Sequence, residues 1–496
     1  MPPRPTAPRL TLAIVCLATF MLLLDVSVVT VALPDIRADL DADFSSIQWV
    51  LDAYTLMLAS LLLPAASLGD LRGRRLVFLL GVAVFTAASA GCAFAPDATT
   101  LDLARAVQGV GGAAMLATAL PLIGTAFPGP ERAGAIGAFA ATIGAAIAIG
   151  PLVGGSITSG LSWEWIFLVN VPLGLLVLVV GSRRLVETRD PAGRRIDVPG
   201  TLLSTLGLLT LVYAVVRGNA EGWGSAPIVG AFAASATLLG AFVVVELRSP
   251  APMLPLGLLR VPALSAAVVS VLSIASGLFG MFLVLVIWLQ AGLEQGPFTV
   301  GLQFLPLTVI SFVASAVTGR RLTTVLPVPV LLCGGLLLTT VGLALMSVVD
   351  GDSAWTALVP GFVLCGLGSG LVNPTAATLS IAAVEPARAG IASGLVNLAR
   401  QVGTAIGIAA LGSIFEAHVI GKLGDTIGPL AATGGAPPSA AVRDALASGL
   451  TTAALVGAAV TAIGSAATLV LLRARSAEPV GPRSRPLSPP RPGGSR

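Results

Sequence analysis

Three ionisable residues lie within apolar segments, where a charge is costly: Asp25, Asp52 and Arg105. Asp25 is the only charged residue in the apolar run 10–33. A charge at the centre of a membrane costs at least about 2.5–3.5 kcal/mol on insertion scales, so its default interpretation is functional. A carboxylate at such a depth can hold either a proton or a cation, and a nearby arginine tunes that choice. The three residues are therefore candidates for proton or cation exchange. The alternative is a packing contact between helices, and it applies more strongly to Asp52, which lies nearer the end of its segment.

Other chemistries find no support in the sequence. Lys422 is the single lysine and is followed by Leu423, so the Gly-Lys-Ser/Thr of a phosphate-binding P-loop is missing. The single histidine, His418, and four cysteines inside apolar runs form no metal-type spacing. No nucleophile–base set or large loop that could hold a catalytic domain is present. We predict a protein that is not an enzyme and needs no cofactor or metal.

The elements that must position these residues are membrane helices. The chain has 496 residues, of which 55% are hydrophobic and 10% charged, with a mean hydropathy of +0.94. Soluble domains carry about 25% charged residues. Fourteen apolar stretches of about the length that crosses a bilayer can be distinguished. The sequence predicts an all-α membrane protein of 14 transmembrane helices.

Charge and tryptophan placement predict the orientation. Most of the 28 lysines and arginines fall in the N-terminal arm, the loops on the same side and the C-terminal tail. The opposite loops carry mainly acids, and the six tryptophans lie near the helix ends on that side. Positive residues favour the cytoplasmic side and tryptophans favour the interface. Both termini are therefore predicted to be cytoplasmic. With successive helices crossing the membrane in alternating directions, residues 416–447 are predicted to form a long flexible loop on the outer side.

Two further segments suggest moving or sealing parts. The tight turn SLGDLRGRR at 67–75 contains Asp70, Gly73, Arg74 and Arg75, which predict a charged latch that favours one of two conformations. A plain positively charged cytoplasmic loop is the alternative. The segment GPLVGG at 150–155 contains small residues that allow close helix approach and a proline that can kink a helix. Its residues are Gly150, Pro151, Gly154 and Gly155. They predict a seal against proton leak, with ordinary glycine packing as the alternative.

The second half offers fewer candidates. Arg400 is the only strong charge deep within it, and we predict that it balances a carboxylate or contacts an anionic group. Asn397 belongs to the same helix, and Gln290 and Asn373 are candidates for the polar lining of a pocket.

The turn at 67–75 resembles the signature loop of the major facilitator superfamily, with departures at Ala66 and Leu71. Six further segments narrow the resemblance to the fourteen-span drug:proton antiporter branch, which includes quaternary-ammonium, dye and antibiotic exporters. They are LDVSVVTVALP at 24–34, QWVLDAYTL at 48–56, RAVQGVG at 105–111, GPLVGG at 150–155, WEWIFLVNVP at 163–172 and NLARQVG at 397–403.

This resemblance implies a fold of six, two and six helices with a site near the midplane between repeats. The expected domains are an N-terminal bundle at 1–184, two inserted helices at 185–262, a C-terminal bundle at 263–474 and a disordered cytoplasmic tail at 475–496. The heavy use of arginine, alanine, glycine and proline indicates a GC-rich bacterial genome. The location expected is the bacterial cytoplasmic membrane.

The function implied by the resemblance is a proton-coupled antiporter that exports hydrophobic, cationic or amphiphilic drugs by alternating access. The alternative is a transporter of the same fold for one endogenous metabolite or nutrient. The expected partners are a drug-like small molecule, protons and the lipid bilayer, without nucleic acid, and the expected oligomeric state is a monomer.

Overall fold

In the computed structural model, the structure describes residues 8–127, 131–189, 197–249, 252, 254, 256–384, 389–437 and 439–477. Every regular element within these ranges is helical. Within the described ranges, thirteen helices have the length and apolar composition needed to cross a membrane. The prediction of an all-helical membrane protein is confirmed.

The first six long helices follow one another through short turns. They are α1 (Pro8–Leu40), α2 (Phe44–Arg72), α3 (Arg74–Ala93), α4 (Ala98–Ala126), α5 (Glu131–Gly160) and α6 (Trp165–Arg184). Acids on the predicted outer side cap two of them. Asp43 accepts a hydrogen bond from the backbone N–H of Ser46, and Asp97 accepts one from that of Thr100, each at 2.8 Å. Such caps satisfy amides that the first turn leaves free.

Two helices follow as an insertion. They are α7 (Val198–Glu221) and α8 (Ala226–Arg248). Asp197 caps α7 through the backbone N–H of Gly200 at 2.8 Å. Helix α7 packs on α2 and on a helix of the second half, whereas α8 packs mainly on α7.

The second half again has six long helices. They are α9 (Pro262–Gly292), α10 (Pro297–Val317), α11 (Val328–Met346), α12 (Trp355–Ala382), α13 (Ala389–Ala432) and α14 (Ala440–Ala477). Helix α9 contains two π-helical turns, at Ala275–Phe279 and Trp288–Gly292.

The predicted loop at 416–447 is wrong. Helix α13 continues through most of it to Ala432, with a single break at Gly424, where φ is +76°. Helix α14 then begins at Ala440. The sequence becomes polar before the backbone leaves the helical conformation, so the helix end predicted from hydropathy came too early.

The two halves touch along the end of the bundle where α1 ends and α2 begins. Gln290 Nε2 of α9 donates to the Val31 carbonyl of α1 at 2.8 Å. Gln48 Nε2 of α2 donates to the Ile408 carbonyl of α13 at 3.0 Å. This end, predicted to be the outer one, is closed by direct contact.

The fourteenth membrane crossing and the orientation of the chain remain predictions. Helix α5 spans 30 residues but is not among the thirteen spans, so the fourteenth crossing stays a prediction, as do the cytoplasmic termini. Helix α14 extends to Ala477, and the rest of the predicted disordered tail, 478–496, lies outside the described residues.

Candidate functional site

Asp25 lies at the centre of a buried polar network within the first bundle. Arg105 Nη1 donates to Asp25 Oδ2 at 2.5 Å, and both side chains are fully buried. Gln108 Nε2 and Asn170 Nδ2 each donate to Asp25 Oδ1 at 3.0 Å. Gln108 Nε2 also donates to Ser89 Oγ at 2.8 Å. Helices α4 and α6 thus meet at the carboxylate of α1, whose two oxygens are both satisfied, and α3 joins the network through Ser89, which accepts hydrogen bonds from Gln108 and Asn170.

Arg105 joins this network to α2. Its Nε donates to the Val50 carbonyl at 2.9 Å, and its guanidinium lies 4.3 Å from the centroid of the Tyr54 ring. The Phe167 ring lies 5.8 Å from it on another side. Arginine suits such a site because its planar cation can donate in several directions and stack on aromatic faces. Within the described residues its Nη2 makes no hydrogen bond.

Asp52 has a different environment. It is fully buried on α2, two residues beyond the Val50 carbonyl that Arg105 contacts. Neither of its carboxylate oxygens has a hydrogen-bond partner among the described residues. An unpaired buried carboxylate is expensive, and a proton or a bound cation removes that cost. The structure therefore separates a satisfied acid, Asp25, from an unsatisfied one, Asp52.

The predicted sealing segment lies against both halves. A Cβ on Gly154 would come within 2.9 Å of the Val28 carbonyl of α1, and one on Gly150 would collide with Ser27. On another side, a Cβ on Gly155 would collide with the carbonyl of Pro297, which starts α10. The carbonyl of Pro151 likewise packs against Gly301 of α10. The segment thus lets α5 approach the backbone of two helices at once.

The predicted latch residues occupy the turn between α2 and α3. Arg74 Nε and Nη2 each lie 2.8 Å from Asp70 Oδ1. Gly73 has φ +123°, a conformation that favours glycine, and Arg75 donates to the Ser182 carbonyl of α6.

Glu187, which sequence reasoning missed, completes this turn. Its carboxylate accepts hydrogen bonds from the backbone N–H groups of Arg75 and Leu76, both at 3.1 Å. It therefore caps the start of α3, where a negative charge is favoured. A Cβ on Gly73 would collide with this carboxylate, which gives that glycine a second reason to be there.

The candidates of the second half are more dispersed. Gln290 is not free, because it bonds the Val31 carbonyl across the contact between the two halves, which we call the seam. Asn373 Nδ2 donates to the Ser369 carbonyl at 3.1 Å, whereas its Oδ1 is buried without a partner among the described residues. Arg400 Nε is likewise buried without one, and Asn397 is half-buried one turn earlier on α13. Arg400 and Asn397 thus share a helix face, and the structure does not bring them into the Asp25 network.

A row of aromatic rings in the second half was not predicted. Phe279, Phe282, Phe304 and Phe362 stack in sequence with ring centroids 5.7, 5.2 and 5.4 Å apart. Phe304 and Phe362 are fully buried, but Phe279 and Phe282 on α9 are half-buried. Phenylalanines in this apolar sequence give no signal by type, and only the fold shows that they stack.

Two grooves flank α7, with volumes of about 530 and 500 Å³. One is lined by residues of α2, α7 and α8, and the other by residues of α7 and α13 together with Trp223. Neither contains Asp25, Asp52 or Arg400. The charged network therefore lies apart from both grooves.

Comparison with known proteins identifies the relatives of this chain. The family model of the Major Facilitator Superfamily matches residues 15–408. Puromycin resistance protein pur8 of Streptomyces alboniger is 39% identical over 84% of this chain and 83% of its own length. Multidrug resistance protein Stp of Mycobacterium tuberculosis is 35% identical over 84% and 77%. Multidrug efflux pump LfrA of Mycolicibacterium smegmatis is 35% identical over 83% and 82%.

Solved structures with a similar fold are more distant in sequence. A POT family transporter in complex with a thioalcohol conjugated peptide has a TM-score of 0.66 at 14% identity, covering 94% of this chain and 96% of that one. A bacterial homologue of the human lysosomal transporter Spinster has a TM-score of 0.65 at 19% identity, covering 94% and 97%. These similarities concern the fold alone.

Proposed function

The chain belongs to the Major Facilitator Superfamily, and from that membership we propose that it exports hydrophobic, cationic or amphiphilic drugs in exchange for protons. It is a multi-pass protein of the bacterial cytoplasmic membrane, in a family of transporters rather than enzymes. Its relatives include an efflux pump and antibiotic resistance proteins, which supports the direction and the substrate class.

The observation that carries proton coupling is the contrast between two buried acids. Asp25 is charge-balanced by Arg105 and fully hydrogen-bonded, so its carboxylate already has its partners. Asp52 has no such partners in the described residues, so it is stable in this conformation with a proton or a cation. We assign Asp52 the exchange of proton for substrate cation. Asp25 and Arg105 organise the bundle around it.

Coupling follows from competition for one negative charge. When Asp52 is protonated, the group of Asp25, Asp52 and Arg105 is electrically balanced, because the Asp25–Arg105 pair is neutral as a unit. When Asp52 releases its proton, a cationic substrate can restore the balance. A ligand that binds one state better shifts the conformational equilibrium by its difference in affinity. The proton and the substrate would thus favour opposite stages of an alternating cycle.

Three other groups of residues receive supporting roles. The latch of Asp70, Gly73, Arg74 and Arg75 stabilises one conformation at the α2–α3 turn, and the segment 150–155 seals the outer half. Arg400, with Asn397, Asn373 and Gln290, contributes charge balance or polar contacts in the second half. The two bundles, 1–184 and 263–474, move relative to each other around the insertion 185–262, in a protein that works as a monomer.

The half-buried Phe279 and Phe282 suit hydrophobic substrates. They end a stack of rings on α9, a helix that touches α1 across the seam through Gln290. Aromatic faces attract lipophilic cations as well as flat apolar rings. This supports a hydrophobic contact surface for the substrate in the second half.

Export of a single natural product is a second candidate. One relative is named as a probable actinorhodin transporter of Streptomyces coelicolor, at 37% identity, and another as a cephamycin export protein of Amycolatopsis lactamdurans, also at 37%. Such proteins are compatible with one dedicated substrate in a producing organism. A panel of structurally unrelated compounds separates a dedicated exporter from a broad one.

The test is transport into inverted membrane vesicles with an acidified lumen, using a fluorescent lipophilic cation and puromycin as probes. We expect proton-driven uptake by the wild type and its loss in Asp52→Asn, because an amide cannot exchange a proton. Exchange of labelled for unlabelled puromycin without a proton gradient should also weaken in that variant, because a neutral amide leaves a cationic substrate without its counter-charge. Unchanged proton-driven uptake of both probes by Asp52→Asn would falsify the assignment.

A further inference from the structure

A third acid, Asp102, lies beside the charged layer and has no role in the function proposed above. It sits one helical turn before Arg105 on α4. It is close enough to Asp52, Arg105 and Asp43 for their charges to interact. Helices α2 and α4 are in direct contact here through the Arg105 Nε–Val50 carbonyl bond. Asp102 is therefore a neighbour of the network on the predicted outer side.

The exposure of Asp102 differs from that of the other two acids. Asp25 and Asp52 are buried, whereas Asp102 is only partly so. One of its carboxylate oxygens, Oδ1, is nonetheless buried without a hydrogen-bond partner among the described residues. One side of the carboxyl group thus faces the interior, while the residue keeps some contact with its surroundings at the α4 start. Asp102 thus differs from Asp25 and Asp52 in combining a buried, unpaired carboxylate oxygen with partial exposure.

The number of charged groups near Asp52 also favours a role for Asp102 in proton transfer. The layer contains three carboxylates, Asp25, Asp52 and Asp102, against one guanidinium, Arg105, which pairs directly with Asp25. Two ionised acids would remain without a cation in a low-dielectric region, where such a charge costs several kcal/mol. Two carboxyl groups close together also cannot both ionise easily, so they share a proton. The unpaired atoms Asp52 Oδ1 and Oδ2 and Asp102 Oδ1 fit this arrangement.

We propose that Asp102 is the relay through which protons pass between the predicted outer side and Asp52. The protonated carboxyl group of Asp102 gives its proton to the Asp52 carboxylate through intervening water, since neither Asp52 oxygen has a hydrogen-bond partner among the described residues. The Asp102 carboxylate so formed takes a new proton from the outer solution. One O–H bond breaks and one forms at each step, so no other reactant is needed. This inference rests on the proposed proton coupling and names a residue that the coupling requires.

Several other ionisable groups surround this relay. They are Asp25 of α1, Asp43 and Tyr54 at α2, Cys92 of α3, Arg105 of α4, Arg217 of α7, and Glu416 of α13, which interacts with Asp43. Asp43 and Arg217 are paired with each other at 3.7 Å. None of these groups replaces the carboxyl of Asp102, because none combines partial exposure with proximity to Asp52.

The test compares Asp102→Asn with Asp102→Glu and with Asp352→Asn, an exposed acid of the second half that serves as control. Proton-driven uptake of puromycin is measured in inverted vesicles over a range of lumenal pH. We expect Asp102→Asn to slow it by at least about tenfold and to alter its pH profile. That is less than the ~hundredfold typical of a buried proton-transfer group, because water partly replaces a half-exposed carboxyl. Asp102→Glu should restore the rate, and Asp352→Asn should match the wild type.

Puromycin exchange without a proton gradient separates a relay from a structural role. We expect Asp102→Asn to keep this exchange within about twofold of the wild type, because the substrate site and Asp52 are intact. A wild-type pH profile in Asp102→Asn, or a parallel loss of exchange, overturns the relay while leaving the proposed function standing. A wild type without any proton-driven uptake overturns both.

Discussion

At the scale of single residues, Arg105 holds the first bundle together through one buried charge. It pairs with Asp25, bonds the Val50 carbonyl and packs on the Tyr54 ring, so it connects α1, α2 and α4. Breaking one partner of a buried ion pair is costlier than replacing both, because it leaves a charge without compensation. The stability of this bundle therefore depends on the charges of Asp25 and Arg105.

Arg105→Gln should lower the stability of the protein by about 3–5 kcal/mol, because the Asp25 carboxylate loses its cation within the interior. The double variant Asp25→Asn/Arg105→Gln should be more stable than Arg105→Gln alone. Denaturant unfolding of the purified protein in detergent measures both. A double variant as unstable as the single one would show that Arg105 acts through packing rather than through charge.

The sequence marked Asp25, Asp52 and Arg105 as ionisable residues within apolar segments but did not show which of them bond. The structure pairs Arg105 with Asp25 and places it against the Val50 carbonyl. Gln108 and Asn170 were missed because amides in glycine-rich helices carry no charge signal, and their direction depends on helix rotation. Asp102 was missed because it lies near a helix start, where a solvated acid is the ordinary expectation. The contact of Gln290 with a backbone carbonyl required knowledge of which helices meet.

At the scale of helices, α5 packs against both halves of the molecule. Gly150 and Gly154 bring it onto α1, and Gly155 brings it onto the start of α10. Small residues at such positions allow backbone-to-backbone contact, which longer side chains would prevent. Because this contact lies at the predicted outer end, α5 is placed to close that end when the halves are together.

Gly155→Ala should open this seal, because the added Cβ meets the backbone carbonyl of Pro297, which cannot rotate away. Overpacking of this kind costs about 1–3 kcal/mol. We expect faster passive proton leak across vesicles containing the variant, measured with a lumenal pH dye and no substrate. Gly160→Ala is the matched control, since a Cβ there meets nothing within 4 Å. Equal leak in the two variants would contradict a sealing role for Gly155.

Helix existence was predictable and helix ends were less so. The lengths of the apolar stretches predicted the membrane helices, since few other structures satisfy backbone hydrogen bonds in a membrane. The extension of α13 through the predicted loop at 416–447 escaped detection because polar residues continue a helix as readily as apolar ones. Glu187 was missed for a related reason, as its capping role depends on how the chain returns after α6.

At the scale of the whole molecule, the insertion connects the two halves. From α7, Asn219 Nδ2 donates to the Ser413 carbonyl at 2.6 Å and to Glu416 Oε2 at 3.0 Å, both on α13. Arg217 of the same helix lies 3.7 Å from Asp43, which caps α2 in the first half. Helix α7 is thus fixed to both halves beside the closed seam.

The two contacts differ in strength. Glu416 is buried, and leaving a buried acceptor without its hydrogen bond costs about 1–3 kcal/mol. The Arg217–Asp43 pair is partly exposed, and such pairs contribute about 0–1 kcal/mol. The Asn219–Glu416 contact is therefore the one whose loss should be felt, and it should shift the balance toward separated outer ends.

Asn219→Ala should make the seam open more often, because α7 loses two of its hydrogen bonds to α13 while its own helix stays intact. A loss of about 1.4 kcal/mol in the closed state corresponds to a tenfold change in the open fraction. We expect labelling of Ala409→Cys, a position now buried between α2 and α13, to accelerate by about tenfold. The reagent is a membrane-impermeant maleimide applied from the predicted outer side, in a background with the four native cysteines replaced by serine.

Glu221→Gln is the control, since Glu221 bonds Arg217 and Tyr213 within α7. If Asn219→Ala labels no faster than Glu221→Gln, the insertion does not restrain the opening of the two halves, and the closed seam must rest on Gln48, Gln290 and α5 alone.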